Sequence, residues 1–165
     1  MPIVLKLIIL FVGLLVAQIL VLSNIQFLGF INPYIYLLFI LSLPARMPRF
    51  IVLLLGFALG LVVDAFSNTM GMHAFATTLL AYARHFVTNL FISLDEGSNP
   101  MPSFRSFGVG AYVKYVVTLV FLHHAALFIL ESFSFQHVWL ILLKVIFSTI
   151  VSVLVILGLN SFERK

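Results

Sequence analysis

The sequence contains no cysteine. That absence excludes disulfides, thiolate metal sites and a cysteine nucleophile, and it leaves the redox compartment open. Charge is almost as scarce: charged residues make up 8% of the 165, against about 25% in an ordinary soluble domain. So few charges cannot coat a water-facing surface. A long hydrophilic segment is also missing, so no separate soluble catalytic or nucleic-acid-binding module fits. There is no internal repeat of the kind that marks many secondary transporters, and no low-complexity stretch. Enzyme signatures are absent too: no G-x-S-x-G, no H-E-x-x-H and no phosphate-cradling glycine loop. A membrane aspartyl protease needs two intramembrane aspartates, and only Asp64 qualifies. The expectation is a non-enzyme without cofactor or metal.

What is present is apolar sequence, 63% of the chain, with a mean hydropathy of +1.23. Several runs approach the roughly 20 residues that cross a bilayer core. In lipid, backbone groups must be satisfied within the segment, which favours helices. The expected fold is therefore all-α: a polytopic membrane protein, one six-transmembrane-helix bundle, with helices near 3–22, 33–43, 50–63, 71–93, 107–130 and 138–159. The first run, IVLKLIILFVGLLVAQILVL, lacks a small-residue cleavage site and is longer than a usual signal-peptide core, so it is expected to stay as the first helix. The second is the shortest; it opens at Pro33, a good first-turn residue, and stops at Pro44.

The net charge of +4 is a topology signal rather than a nucleic-acid one. Lys6, Arg46, Arg49, Arg84, Arg105, Lys114, Arg164 and Lys165 all fall on one side if the N-terminus is inside. The opposite turns, 23–32, 64–70 and 131–137, hold neither lysine nor arginine. Both termini are thus expected in the cytoplasm, and only Lys144 sits on the other half.

Polar residues at membrane depth each carry two readings. Asp64 closes the third run, within GLVVDAFSNTMGMHA (residues 60–74). It is either a turn carboxylate that caps the next helix or part of a binding or packing site. Because the runs on either side hold only about 14 residues each, roughly 21 Å, the 64–70 turn is expected to be sunk into the bundle. Gly71 and His73 belong to the same turn. His73, Thr77 and Arg84 share a helical face, with Arg84 expected to snorkel to headgroups. His123, His124 and Glu131 lie on the fifth run. His124 and Glu131, seven apart, suit a metal pair or proton path less well than a polar interhelical contact. Lys144 either reaches Glu131 as an ion pair or snorkels. Gly56 and Gly60 form a G-x-x-x-G, and Ser148 and Ser152 repeat the spacing; small residues four apart let helices approach closely, within the bundle or against a partner helix.

Six short helices with both termini inside, and the G-L-V-V-D-A-F-S-x-x-M-G-M-H-A stretch between helices three and four, resemble the rod-shape-determining protein MreD family. The matching residues are Gly56, Gly60, Asp64, Gly71, His73 and Ala74; NPYIYLLFILSLP (residues 32–44) resembles that family's proline-led second segment. The likeness implies a non-enzymatic component of the bacterial cell-elongation machinery in the inner membrane. It implies partnership with MreC and, through it, with MreB, RodA and a class B penicillin-binding protein, in peptidoglycan synthesis and regulation of cell shape. The layout is also similar to the vitamin-binding subunits of energy-coupling-factor transporters, the alternative function. Those subunits often carry an alanine-rich first helix, whereas the first run here has only Ala17.

Overall fold

The computed structural model describes residues 3–22, 32–93, 97–132 and 138–162. Arg164, Lys165 and most of the turns at 23–32 and 131–137, on which part of the topology argument rests, lie outside the described residues. Those described are all helical or irregular. The helices are α1 (Ile3–Leu20), α2 (Leu37–Ser42), α3 (Arg49–Ser67), α4 (Met72–Phe91), α5 (Phe104–Phe107), α6 (Val109–Ser132) and α7 (Val138–Phe162).

Of the six segments expected to span a bilayer, three are long and apolar enough to do so: Arg49–Ser67, Val109–Ser132 and Val138–Ser161. The apolar stretch of α1, Val4–Leu20, is shorter. Helix α4 has 20 residues, but His73, Thr77, Arg84, His85 and Thr88 dilute its hydropathy. The second segment departs furthest from expectation. Pro33 does not open a helix; residues 32–35 are irregular and α2 has six residues. All six are buried. Pro44 ends it, because a proline pushes the residue before it out of the helical region. Leu43 accordingly has φ −59° and ψ 148°.

Helix α4 is central, packed between α3 and α6, while α7 lies against α6. The short α2 is surrounded by α1, α3 and α4. Side chains that face outward are large and apolar, such as Phe50, Leu54, Phe57 and Leu61 on α3. The inner faces combine a large apolar core with buried polar residues such as Asp64, His73 and Arg84.

Candidate functional site

The motif 60–74 builds a closed helical hairpin. Helix α3 does not stop at Val63 but continues to Ser67, so Asp64 sits inside its last turn and the connection is four residues, 68–71. The expected short run and long turn are both corrected. With 19 residues, α3 covers about 28 Å. The helix ends because Asn68 enters the left-handed region (φ 54°), which asparagine tolerates better than most residues. The Thr69 N–H then reaches back to the Asp64 carbonyl (3.1 Å), a Schellman-type closure. Gly71 precedes α4 with φ 78°, a conformation that favours glycine.

Helix α4 starts without a capping side chain of its own N-cap residue. Asp64 supplies the cap from across the turn. Its Oδ1 accepts from the His73 N–H (3.0 Å) and its Oδ2 from the Ala74 N–H (2.8 Å). The Thr69 hydroxyl donates to Oδ1 at 2.5 Å, and His73 Nδ1 lies 3.1 Å from the same oxygen. A carboxylate at a helix N-terminus satisfies orphan donors and meets the positive end of the helix dipole. Of the two readings of Asp64, capping is what the geometry shows.

Gly60 makes the hairpin possible. A Cβ there would lie 2.5 Å from the Ala74 Cα and the His73 carbonyl oxygen. At Gly56 it would meet the Ala81 Cβ at 2.9 Å. Both glycines are therefore spent on the α3–α4 contact, and their face is not open to a partner helix.

The second constellation surrounds residues 32–46. Irregular backbone inside an apolar bundle is tolerated only where protein satisfies it, and four helices contribute. Gln18 of α1 takes the Ile35 N–H on its Oε1 (2.9 Å) and donates from Nε2 to the Pro33 carbonyl (3.2 Å). Ser148 and Ser152 of α7 accept from the Asn32 N–H (3.3 Å) and the Tyr34 N–H (2.9 Å). Their four-residue spacing serves this backbone rather than a bare helix crossing. At the other end Arg84 of α4 does not snorkel. It is 3% exposed, donates from Nη2 to the carbonyls of Leu43 and Pro44, and from Nε to the Tyr115 hydroxyl (3.0 Å). Tyr115 of α6 in turn donates to the Leu41 carbonyl (3.0 Å). A guanidinium suits this task, with several donors in a fixed plane.

Between these two regions lies a cluster of rings. The Tyr34 ring centroid is 5.5 Å from His73, 6.0 Å from His123 and 5.4 Å from His124. The Tyr36 hydroxyl is 2.9 Å from His123 Nε2. His124 pairs with the Val120 carbonyl (2.7 Å) and the Ser152 hydroxyl (3.3 Å). His123 and His124 are thus interhelical polar contacts. Glu131, half exposed, is instead 4.0 Å from Lys144, the ion-pair alternative of the two readings of Lys144, and no metal-holding group of three ligands occurs among the described residues. His73 Nε2 and His123 Nδ1 are buried without a hydrogen-bond partner among the described residues. Beside His73 a cavity of about 370 Å³ is walled by Gln18, Asn32, Tyr34, Thr69 and Glu131, among others.

The chain matches no family model, no curated protein and no solved structure.

Sequence reasoning had missed Gln18, Thr69 and the tyrosines. Gln18 carried a usable signal, being the sole uncharged polar residue in the first run. Tyr34, Tyr36 and Tyr115 carried none, since tyrosine is also a routine interfacial residue in membrane proteins.

Proposed function

We propose that the chain is a membrane scaffold of the bacterial cell-elongation machinery, of the MreD kind. It would sit in the inner membrane with both termini cytoplasmic and hold an MreC-like partner through helix–helix contacts. Through that partner it would be linked to MreB, RodA and a class B penicillin-binding protein. One observation carries this reading: the residues on which the resemblance rests act as a unit. Gly56 and Gly60 seat α4 on α3, and Asp64, Gly71 and His73 close the hairpin. Such a motif preserves a shape. The buried Arg84, Gln18, Ser148 and Ser152 likewise bind the chain's own backbone. Because the glycine face is occupied, partner contacts fall on outward apolar faces such as that of Phe50, Leu54, Phe57 and Leu61.

The test is depletion in the native host together with detergent purification of the tagged chain. Loss of rod shape and recovery of an MreC-like protein are expected. Normal rods with no such partner would sink the reading. A second reading, the small-molecule-binding subunit of a transporter, draws on the 370 Å³ cavity beside His73, which is within the usual size of ligand sites. A vitamin retained through purification would favour it over the scaffold.

A further inference from the structure

Helix α4 presents one face outward, and the middle of that face carries a hydroxyl. Tyr82 is 59% exposed, between the exposed Phe75 and Phe86. It lies ten residues from Met72 and nine from Phe91, about 15 Å and 14 Å from the helix ends. Its neighbour Ala81 is level with Gly56, where an added Cβ would meet the Ala81 Cβ at 2.9 Å. Gly56 is well inside α3, a helix long and apolar enough to cross a membrane. Tyr82 is therefore near the middle of a hairpin of membrane-spanning length, turned away from the bundle. Among the described residues its ring meets Phe86, with centroids 5.5 Å apart, and its hydroxyl has no hydrogen-bond partner.

Tyrosine belongs to the membrane–water belts, where its hydroxyl is wet. From mid-helix a phenol is too short to snorkel to either end. In hydrocarbon no water offsets the unmade bond. Outward residues at a similar depth elsewhere are apolar, Phe57 on α3 and Ile150 on α7. Tyr82 also sits in a seam. Phe75, Leu79, Tyr82, Phe86 and Asn89 follow at alternating steps of four and three, the roughly 3.5-residue repeat with which one helix packs along another. What completes this seam is a helix that brings an acceptor to the depth of the Tyr82 hydroxyl.

We propose that the α4 seam is where the partner of the scaffold docks, through one transmembrane helix of another protein. A Ser, Thr, Asn or Gln side chain at the middle of that helix accepts from the Tyr82 hydroxyl. The inference rests on the scaffold reading and narrows its contact from the outward faces at large to α4. A second copy of this chain fits less well. Its α4 crosses the membrane with the same polarity, so a two-fold pair brings a second Arg49 to the seam end where Arg49 already stands 5.8 Å from the Phe86 ring.

The test is site-specific photo-crosslinking of the full chain in its native membranes, with adducts mapped by mass spectrometry. The crosslinker is placed at Phe75 or Phe86 on the seam, at Leu54 on α3 and at Leu154 on α7. Both seam positions are expected to capture the same transmembrane segment of a different protein, one with a polar side chain at its middle. Tyr82→Phe in that background should lower the yield about threefold to tenfold. It should leave the thermal midpoint of the purified chain unchanged, since the hydroxyl bonds nothing within the chain. An unchanged yield, an adduct of two copies, or a captured segment without a polar residue at its middle overturns the proposal. Capture of the partner from Leu54 or Leu154 but not from the seam overturns it too, and leaves the scaffold reading standing. No protein captured from any of the four positions overturns both.

Discussion

In the α3–α4 hairpin the groups that complete a helix end come from within ten residues of each other. Around residues 32–46 they come from as far as 118 residues away. Both regions solve the same problem, backbone donors and acceptors left over inside an apolar bundle. The hairpin solves it with a carboxylate one turn from the gap, so its closure depends on neighbours in sequence. The buried segment relies on α1, α4, α6 and α7 all being in place. The first device draws on one hairpin; the second draws on the whole bundle.

That difference can be broken at either end. The largest effect is expected from Gly60→Leu, since the obstructing atoms are backbone and cannot swing away. Overpacking of this kind costs about 3 kcal/mol or more, and loss of folded protein on size exclusion in detergent is the readout. Arg84→Met comes next. It keeps the volume but strands the Leu43 and Pro44 carbonyls, at about 1–3 kcal/mol for each buried group left unmade. A lowered thermal midpoint is expected, with faster hydrogen exchange near α2 before α3 and α4 loosen. Simultaneous loss of protection in all three helices would show that the two regions are not separable.

Asp64→Ala should cost about 1–2 kcal/mol through the lost cap, and Asp64→Asn less, because one amide oxygen still accepts while the charge at the helix dipole is gone. Exchange at His73 and Ala74 is where the effect should appear. Ser152→Ala is expected to cost under about 1 kcal/mol, in line with hydrogen bonds measured between membrane helices. The smallest effect belongs to Glu131→Gln. Its partner Lys144 is 4.0 Å away and both are well exposed, so a change below about 0.5 kcal/mol in the unfolding free energy is expected.

The same contrast explains what could be read in advance. The hairpin was legible: Gly56, Gly60, Asp64, Gly71 and His73 were singled out together, and capping was one of the two readings of Asp64. Only the reach of α3 was misjudged, because the polar side chain at 64 looked like a helix end. Here the carboxylate that caps the following helix sits inside the preceding one, and hydropathy alone does not separate this case from an ordinary N-cap. The buried segment was illegible. Arg84 looked like a snorkelling cation, and Ser148 and Ser152 like crossing points for helices. Nothing in their local sequence announces that a carbonyl some 40 residues away, or an N–H some 118 away, will need them.

Scarcity of charge and abundance of long continuous apolar runs determined the helical class by themselves, since in lipid such runs satisfy their backbone by coiling each segment on itself, whereas a barrel strand would alternate apolar and polar residues. The G-x-x-x-G marked α3 for a close helix contact, within the bundle or against a partner, and the structure spends it on α4. Only the tertiary structure decided that the second segment is a six-residue helix held by remote side chains. The physical reason is range. Helix formation and capping are settled within about ten residues, whereas the partner of a buried, unpaired backbone group is chosen by whichever side chain the packed bundle brings near it.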